Sequence, residues 1–286
     1  MKKTRLLVVP VVIALVAFSA YQGIFTLPKQ SHISSISAQG VQLSLQCYHN
    51  ENTSVLDSQG QLNLLVWNIY KQSNSNWQQS LTRLSQDKQL VLLQEASMTP
   101  EFVSWIERNQ WFGSQVDAFK AFKTTAGVLN LSYAPPSLAC AYTELEPWLR
   151  LPKSALYATY PLSNGEELAV VNIHAVNFTY GTIEYRRQIE ELAKELEQHQ
   201  GPIIVAGDFN SWSRERLSVM AQALAGLALQ EVNYNPDHRT QFVTGLPLDH
   251  VLFRGLTLET AEAPISDASD HNPIVVHFRL KKPIKQ

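Results

Sequence analysis

The chain has 286 residues, 45% hydrophobic and 17% charged, so it can bury a substantial core and lacks the composition of a disordered protein. Its 23 basic and 25 acidic residues leave a net charge of -2. That balance excludes a nucleic-acid-coating protein, which needs a basic excess, but not an enzyme that meets phosphates only in a cleft.

Met1-Lys2-Lys3-Thr4-Arg5 is basic, and Leu6 through Pro28 carries no charge. This pattern reads as a signal peptide or an uncleaved membrane anchor over residues 1–28, with Ala17-Phe18-Ser19 as a small-residue cleavage site and residues 6–28 as the tether. Lys2, Lys3 and Arg5 would stay inside, placing the rest in the periplasm or outside the cell, secreted or anchored to the inner membrane. A cytoplasmic location is the alternative if the segment is not recognised for export. Residues 29–60, rich in Ser, Gln, Asn and Gly without lasting periodicity, read as a linker. Neither Cys47 nor Cys140 has a neighbour at metal-ligand spacing, which argues against zinc and leaves their pairing open.

From residue 61 onward, short apolar strands alternate with amphipathic helices. Leu62–Trp67 predicts a strand, the spacing of Trp77, Leu81 and Leu84 a helix, and Leu90–Leu93 a strand. Gly127–Leu131, Ser154–Thr159 and Leu168–Ile173 are further strands. A helix follows Gly181, with Thr182 able to cap it, Ile189, Leu192, Ala193 and Leu196 on one apolar face, and Gly201-Pro202 ending it. Ile203–Ala206 is a strand, Arg214–Leu224 a helix, and Leu248–Phe253, Leu256–Thr260 and Ile274–Phe278 are strands. Strands adjoining strands with helices interspersed predict one α/β domain over 61–286, with α+β-type layering of two packed mixed sheets flanked by helices.

Six strand ends carry polar groups suited to a metal or a phosphate: Asn68, Glu95, His174, Asp208 with Asn210, Asp249, and Asp270 with His271. Singly each reads as a turn former, a solvated acid or a structural histidine. Together they match one reaction. Hydrolysis of a phosphoester needs hard oxygen ligands for a cation such as Mg²⁺, an oriented water and help for the leaving oxygen.

The landmarks Leu-Val-Trp-Asn-Ile (65–69), Leu-Leu-Gln-Glu-Ala (92–96), Val-Asn-Ile-His (171–174), Gly-Asp-Phe-Asn (207–210), Leu-Asp-His-Val (248–251) and Ser-Asp-His-Asn-Pro (269–273) resemble, in this order, those of the endonuclease/exonuclease/phosphatase superfamily. The resemblance covers about Leu62 to Phe278 and implies a four-layer sandwich and metal-dependent phosphoester hydrolysis. It implies Glu95 as principal metal ligand, supported by Asn68 and Asp270, with Mg²⁺ as the expected ion and Mn²⁺ or Ca²⁺ as alternatives. It makes Asp208 the residue that orients or deprotonates water, Asn210 the holder of the phosphoryl group, and His271 the imidazole on the phosphate, oriented by Asp249. Members differ on whether Asp or His is the general base, so that role stays split. His174 resembles a histidine that acts on the leaving oxygen in deoxyribonuclease-like and sphingomyelinase-like members, and Glu146 the glutamate that orients it. Asn177, Arg150 and Trp212 are candidate substrate contacts. One departure is Leu131-Ser132-Tyr133, where related sequences often carry Leu-Ser-Arg; Arg150 or Lys153 would have to replace that charge.

The expected activity is therefore a monomeric, nuclease-like phosphodiesterase. A phospholipase C or sphingomyelinase-like enzyme and a small-molecule phosphatase are the alternatives, so the substrate is a nucleic acid, a phospholipid headgroup or a small phosphate ester. The rival from another class is a tethered binding protein that has lost catalysis, against which stands the filling of every principal acid and imidazole position.

Overall fold

A computed structural model of the chain describes residues 13, 16, 19–37 and 40–281. Among the described residues, sixteen strands and four α-helices with both ends described follow one another, after helical residues 19–24. Strands β1 (Phe25–Thr26), β2 (His32–Ser37), β3 (Gly40–Leu45) and β4 (Cys47–His49) come first, then β5 (Gln61–Asn68). Helix α1 (Trp77–Ser85), β6 (Leu90–Ser97) and α2 (Pro100–Arg108) lead into β7 (Phe112–Ala121), β8 (Thr124–Ser132), β9 (Leu138–Leu145), β10 (Pro152–Pro161) and β11 (Glu167–His174). Helix α3 (Ile183–Glu197), β12 (Ile203–Asp208) and α4 (Arg214–Leu224) precede β13 (Gln230–Glu231), β14 (Asp249–Arg254), β15 (Leu256–Glu262) and β16 (Ile274–Leu280).

The strands form two mixed sheets. One runs β15-β16-β5-β6-β8-β7-β2-β3, with β1 added against β7; the other runs β13-β14-β12-β11-β10-β9-β4. Alternation along each strand separates the layers. Leu62, Leu64 and Val66 of β5 meet Leu168, Val170, Ile204 and Ala206 of the other sheet in the central core. Leu65 and Trp67 turn the other way, onto Leu81 of α1 and Phe102 and Trp105 of α2. Ile203 and Val205 likewise pack under Ile189, Leu192 and Leu196 of α3 and Val219 of α4. Helix, sheet, sheet and helix make the four-layer sandwich.

The stretch 29–60 corrects the linker expectation, because it supplies β2, β3 and β4. Ile33 and Ile36 are the buried residues of β2, and three residues apart on a strand they face opposite layers. Neither face therefore shows the period of two that marks a strand. Cys47 and Cys140 sit directly opposite each other on β4 and β9 and form a disulfide. Most of residues 1–18 lies outside the described residues, including much of the expected signal or tether. The described part packs on the domain: Tyr21 Oη donates to the carbonyls of Leu149 and Arg150, and Phe25–Thr26 pairs with Ala121 and Lys120. No helix among the described residues is long and apolar enough to cross a membrane. Helix α3 starts after Thr182 as expected, although the Thr182 side chain makes no capping hydrogen bond.

Candidate active site

Strands β11, β12 and β14 end in register, so His174 lies opposite Asp208 and Asp208 opposite Asp249. Gly207 makes this alignment possible: at φ +138 a Cβ there would lie 2.1 Å from the Ile173 carbonyl oxygen. Across the sandwich, β5 ends at Asn68, and a register shift in β6 between Leu93 and Ala96 brackets Glu95. Glu95 has φ 54, a conformation that L residues seldom adopt, and this irregular turn of the strand re-aims its carboxylate into the cleft. The loop before β16 delivers His271, locked in place because its carbonyl accepts the Trp67 indole N–H.

Asp208 is the centre. Asn68 donates to its Oδ2 at 3.0 Å and the Asn210 backbone N–H to its Oδ1 at 2.9 Å. His174 Nε2 and His271 Nε2 stand 3.5 and 3.9 Å from Oδ2. Behind His271, Asp249 Oδ2 takes the Nδ1 hydrogen bond at 2.8 Å. Burial raises the Asp208 carboxyl to about 6; the His271 cation opposes that rise and the Asp249 charge adds to it. Burial works against the His271 imidazolium, yet the Asp249 and Asp208 charges outweigh it and push the ring up to about 10. His174 goes the other way: burial first, then the charges of Lys153 and Lys71, hold it well below the usual histidine range. A lysine ammonium can only donate, so the 2.9 Å contact from Lys153 Nζ to His174 Nε2 identifies Nε2 as the acceptor of a neutral ring.

Glu95 faces cations on two sides, Lys71 in direct contact and Lys153 at 3.9 Å, with His174 Nε2 also 3.9 Å away. It is a cleft-facing carboxylate in cationic company, a donor suited to a hard divalent ion. Asn68 keeps spare acceptor capacity on its side-chain oxygen, which takes one hydrogen bond from the Tyr70 N–H. Asp270, expected beside them, is exposed at the rim, where its Oδ1 accepts from Ser269 at 3.3 Å. Asp208, Asp249 and His271 bring ligand atoms within 4.8 Å of one another. His271 is nevertheless a poor ligand, since a protonated imidazole has no lone pair to give.

The outer residues fall differently from expectation. Glu146 is buried beside His174 in the same cavity, and its Oε1 accepts from the backbone N–H groups of Asn177 and Phe178, which holds that loop. Asn177 and Trp212 are joined to each other, indole N–H to amide oxygen at 2.8 Å. Arg150 is exposed, with its carbonyl held by Tyr21. Lys153 is the cation that reaches the site. Asn210 is buried, its side-chain nitrogen donating to the Ala175 carbonyl and its own carbonyl accepting from Arg216.

Sequence reasoning missed Lys71, which follows the Asn68 strand end, and the group that ties two site loops together. Ser211 Oγ meets His250 Nε2 at 2.8 Å, and His250 Nδ1 meets Glu231 at 2.7 Å. Ser211 adjoins Asn210 and His250 adjoins Asp249, so their adjacency in the landmarks was the available signal.

The profile of the Endonuclease/Exonuclease/phosphatase family matches residues 65–271. A UPF0294 protein of Vibrio cholerae is 57% identical over 278 residues, covering 97% of this chain and 99% of its own length. Another, from Yersinia enterocolitica, is 44% identical over 218 residues, 76% of this chain and 84% of that one. Among solved structures, an endonuclease/exonuclease/phosphatase from Bacteroides vulgatus superposes with a TM-score of 0.62 at 14% identity, covering 77% of this chain and 99% of that one. D. rerio TDP2 complexed with single strand DNA product gives 0.56 at 17%, covering 78% and 100%. The human Nocturnin catalytic domain with bound sulfate gives 0.58 at 15%, covering 80% and 98%. These distant likenesses concern the fold. Metal-dependent phosphoester hydrolysis is the class of activity that the profile match carries, and the chain belongs to the endonuclease/exonuclease/phosphatase family.

Proposed function

We propose that the protein is a Mg²⁺-dependent phosphodiesterase. The observation that carries this is one buried carboxylate, Asp208, standing between two imidazoles of opposite protonation, with Glu95 open to the cleft beside them. Glu95 and Asn68, with Asp270 at the rim, would hold the ion, which when bound supplies charge neutralisation at the phosphoryl oxygens.

The chain's own groups do the rest. Asp208, once ionised, accepts a proton from water, and the water oxygen bonds to phosphorus. The P–O bond opposite breaks in line, and its oxygen leaves as an alcohol after taking a proton from the Lys153–His174 pair. His271, cationic and held by Asp249, donates its Nε2 hydrogen to a phosphoryl oxygen. Asn210 fixes Asp208 through its backbone N–H and lines the phosphate position. A panel of single- and double-stranded DNA, RNA, phospholipids and inositol phosphates, run beside Asp208→Asn, tests the reading. Turnover of at least one diester that the variant loses is expected; no turnover with Mg²⁺ or Mn²⁺ would reject it.

We also propose that the domain works outside the cytoplasm. The uncharged stretch from Leu6 and the Cys47–Cys140 disulfide support this, because disulfides persist in oxidising compartments. Alkylation of intact cells checks it: both thiols should resist labelling until reductant is added, whereas free thiols in a cytosolic fraction would contradict it.

A further inference from the structure

Resting on the phosphodiesterase reading, we infer that the substrate is amphiphilic, a phospholipid-type diester whose apolar part enters a cavity beside the site. A cavity of about 440 Å³ opens next to Glu95 and His174. Its two ends differ in chemistry. At the catalytic end Lys71 and Lys153 stand around Glu95 and His174; the apolar lining is Phe25, Phe119, Leu149, Leu151 and Phe178 with neighbouring alanines. Apolar walls with a few convergent polar groups are what a small amphiphile requires.

The mouth continues this apolar character onto the surface. Trp148, Leu149, Phe178, Tyr180 and Ile183 are all exposed, and the Trp148 ring lies 5.0 Å from Tyr180 and 6.5 Å from Phe178. A contiguous exposed patch of this kind marks a contact surface. The N-terminal segment enters at the same place: Tyr21 holds the Leu149 and Arg150 carbonyls, and the Phe25 ring packs 5.9 Å from Phe119. Phe25 and Glu95 thus line one cavity at the end of an uncharged stretch that begins at Leu6. A leader held in lipid would bring the aromatic mouth to the bilayer surface, where Trp and Tyr rings reside. A nucleic acid would instead need several cations along its backbone. The net charge of -2 does not provide them, and the lysines of the cavity share its lining with Glu95 and Glu146.

The test uses the full chain held soluble in an amphipol, with methyl, butyl and octyl esters of phosphocholine and a thymidine dinucleotide as probes. Binding is measured by calorimetry in EDTA, and turnover in Mg²⁺. The expected result is affinity rising about fourfold per buried methylene, a parallel rise in kcat/KM, and a flattened series in Leu149→Asp. Graded binding without turnover of any probe would sustain the amphiphile site and reject the phosphodiesterase reading. Flat binding across the series, or a dinucleotide cleaved faster than the octyl ester, would overturn the inference while leaving phosphodiester hydrolysis in place.

Discussion

The two imidazoles of the site share a carboxylate and a buried setting but differ in charge. His271 lies between Asp249 and Asp208 and is held as a cation; His174 lies against Lys153 and near Lys71 and is held neutral. Both are buried, so desolvation alone would push both down. The Asp249 and Asp208 charges overcome burial at His271, whereas at His174, although Asp208 and Glu95 lie 3.5 and 3.9 Å away, burial is the largest cause and Lys153 and Lys71 add to it. The His271 half is closed by hydrogen bonds among its own members, whereas the His174 half opens onto the apolar cavity. In the proposed reaction one half meets negative charge on a phosphate and the other meets the leaving group.

Replacing each ring in turn should separate the halves. His271→Ala is expected to lower kcat about a thousandfold and His174→Ala about a hundredfold, with unchanged circular dichroism. Equal losses would erase the distinction. Asp249→Asn has a smaller effect on rate, about tenfold to a hundredfold, but a signed effect on pH dependence. The proposed mechanism needs Asp208 ionised, above about 6, and His271 protonated, below about 10. Removing the Asp249 charge lowers both values, so both limbs of the pH–rate profile should move to lower pH; stationary limbs would contradict the assignment. Lys153→Ala is the mildest change, costing about tenfold or less in rate. It removes a charge that depresses His174, so the ring should titrate at higher pH in the metal-free protein, as read by NMR. No upward movement would show that burial alone keeps His174 neutral.

Much of this site was legible because its residues sit where apolar runs stop. Asp208 and Asn210 follow Ile203–Ala206, and His271 precedes Ile274, so strand prediction placed them at strand ends without any long-range information. The helix expected over Arg214–Leu224 has those bounds, and Ser213 caps it, accepting from the Arg216 N–H. What was illegible depends on contacts between distant segments. Lys153 looks like any surface lysine until β10 is placed beside β11. Glu146 was expected to orient His174 and Asn177 to contact substrate, yet the fold also gives each a local partner, a loop backbone and Trp212. The same holds for β2, whose Ile33 and Ile36 serve two different layers and so show no period to a local reading.

The most direct test of the central claim is hydrolysis of bis(para-nitrophenyl) phosphate by the full chain, with Mg²⁺ and after chelation, in wild type and Asp208→Asn. The account predicts turnover that needs the metal and falls about a thousandfold in the variant. Wild-type turnover that survives chelation, or an Asp208→Asn protein as fast as wild type, would contradict it.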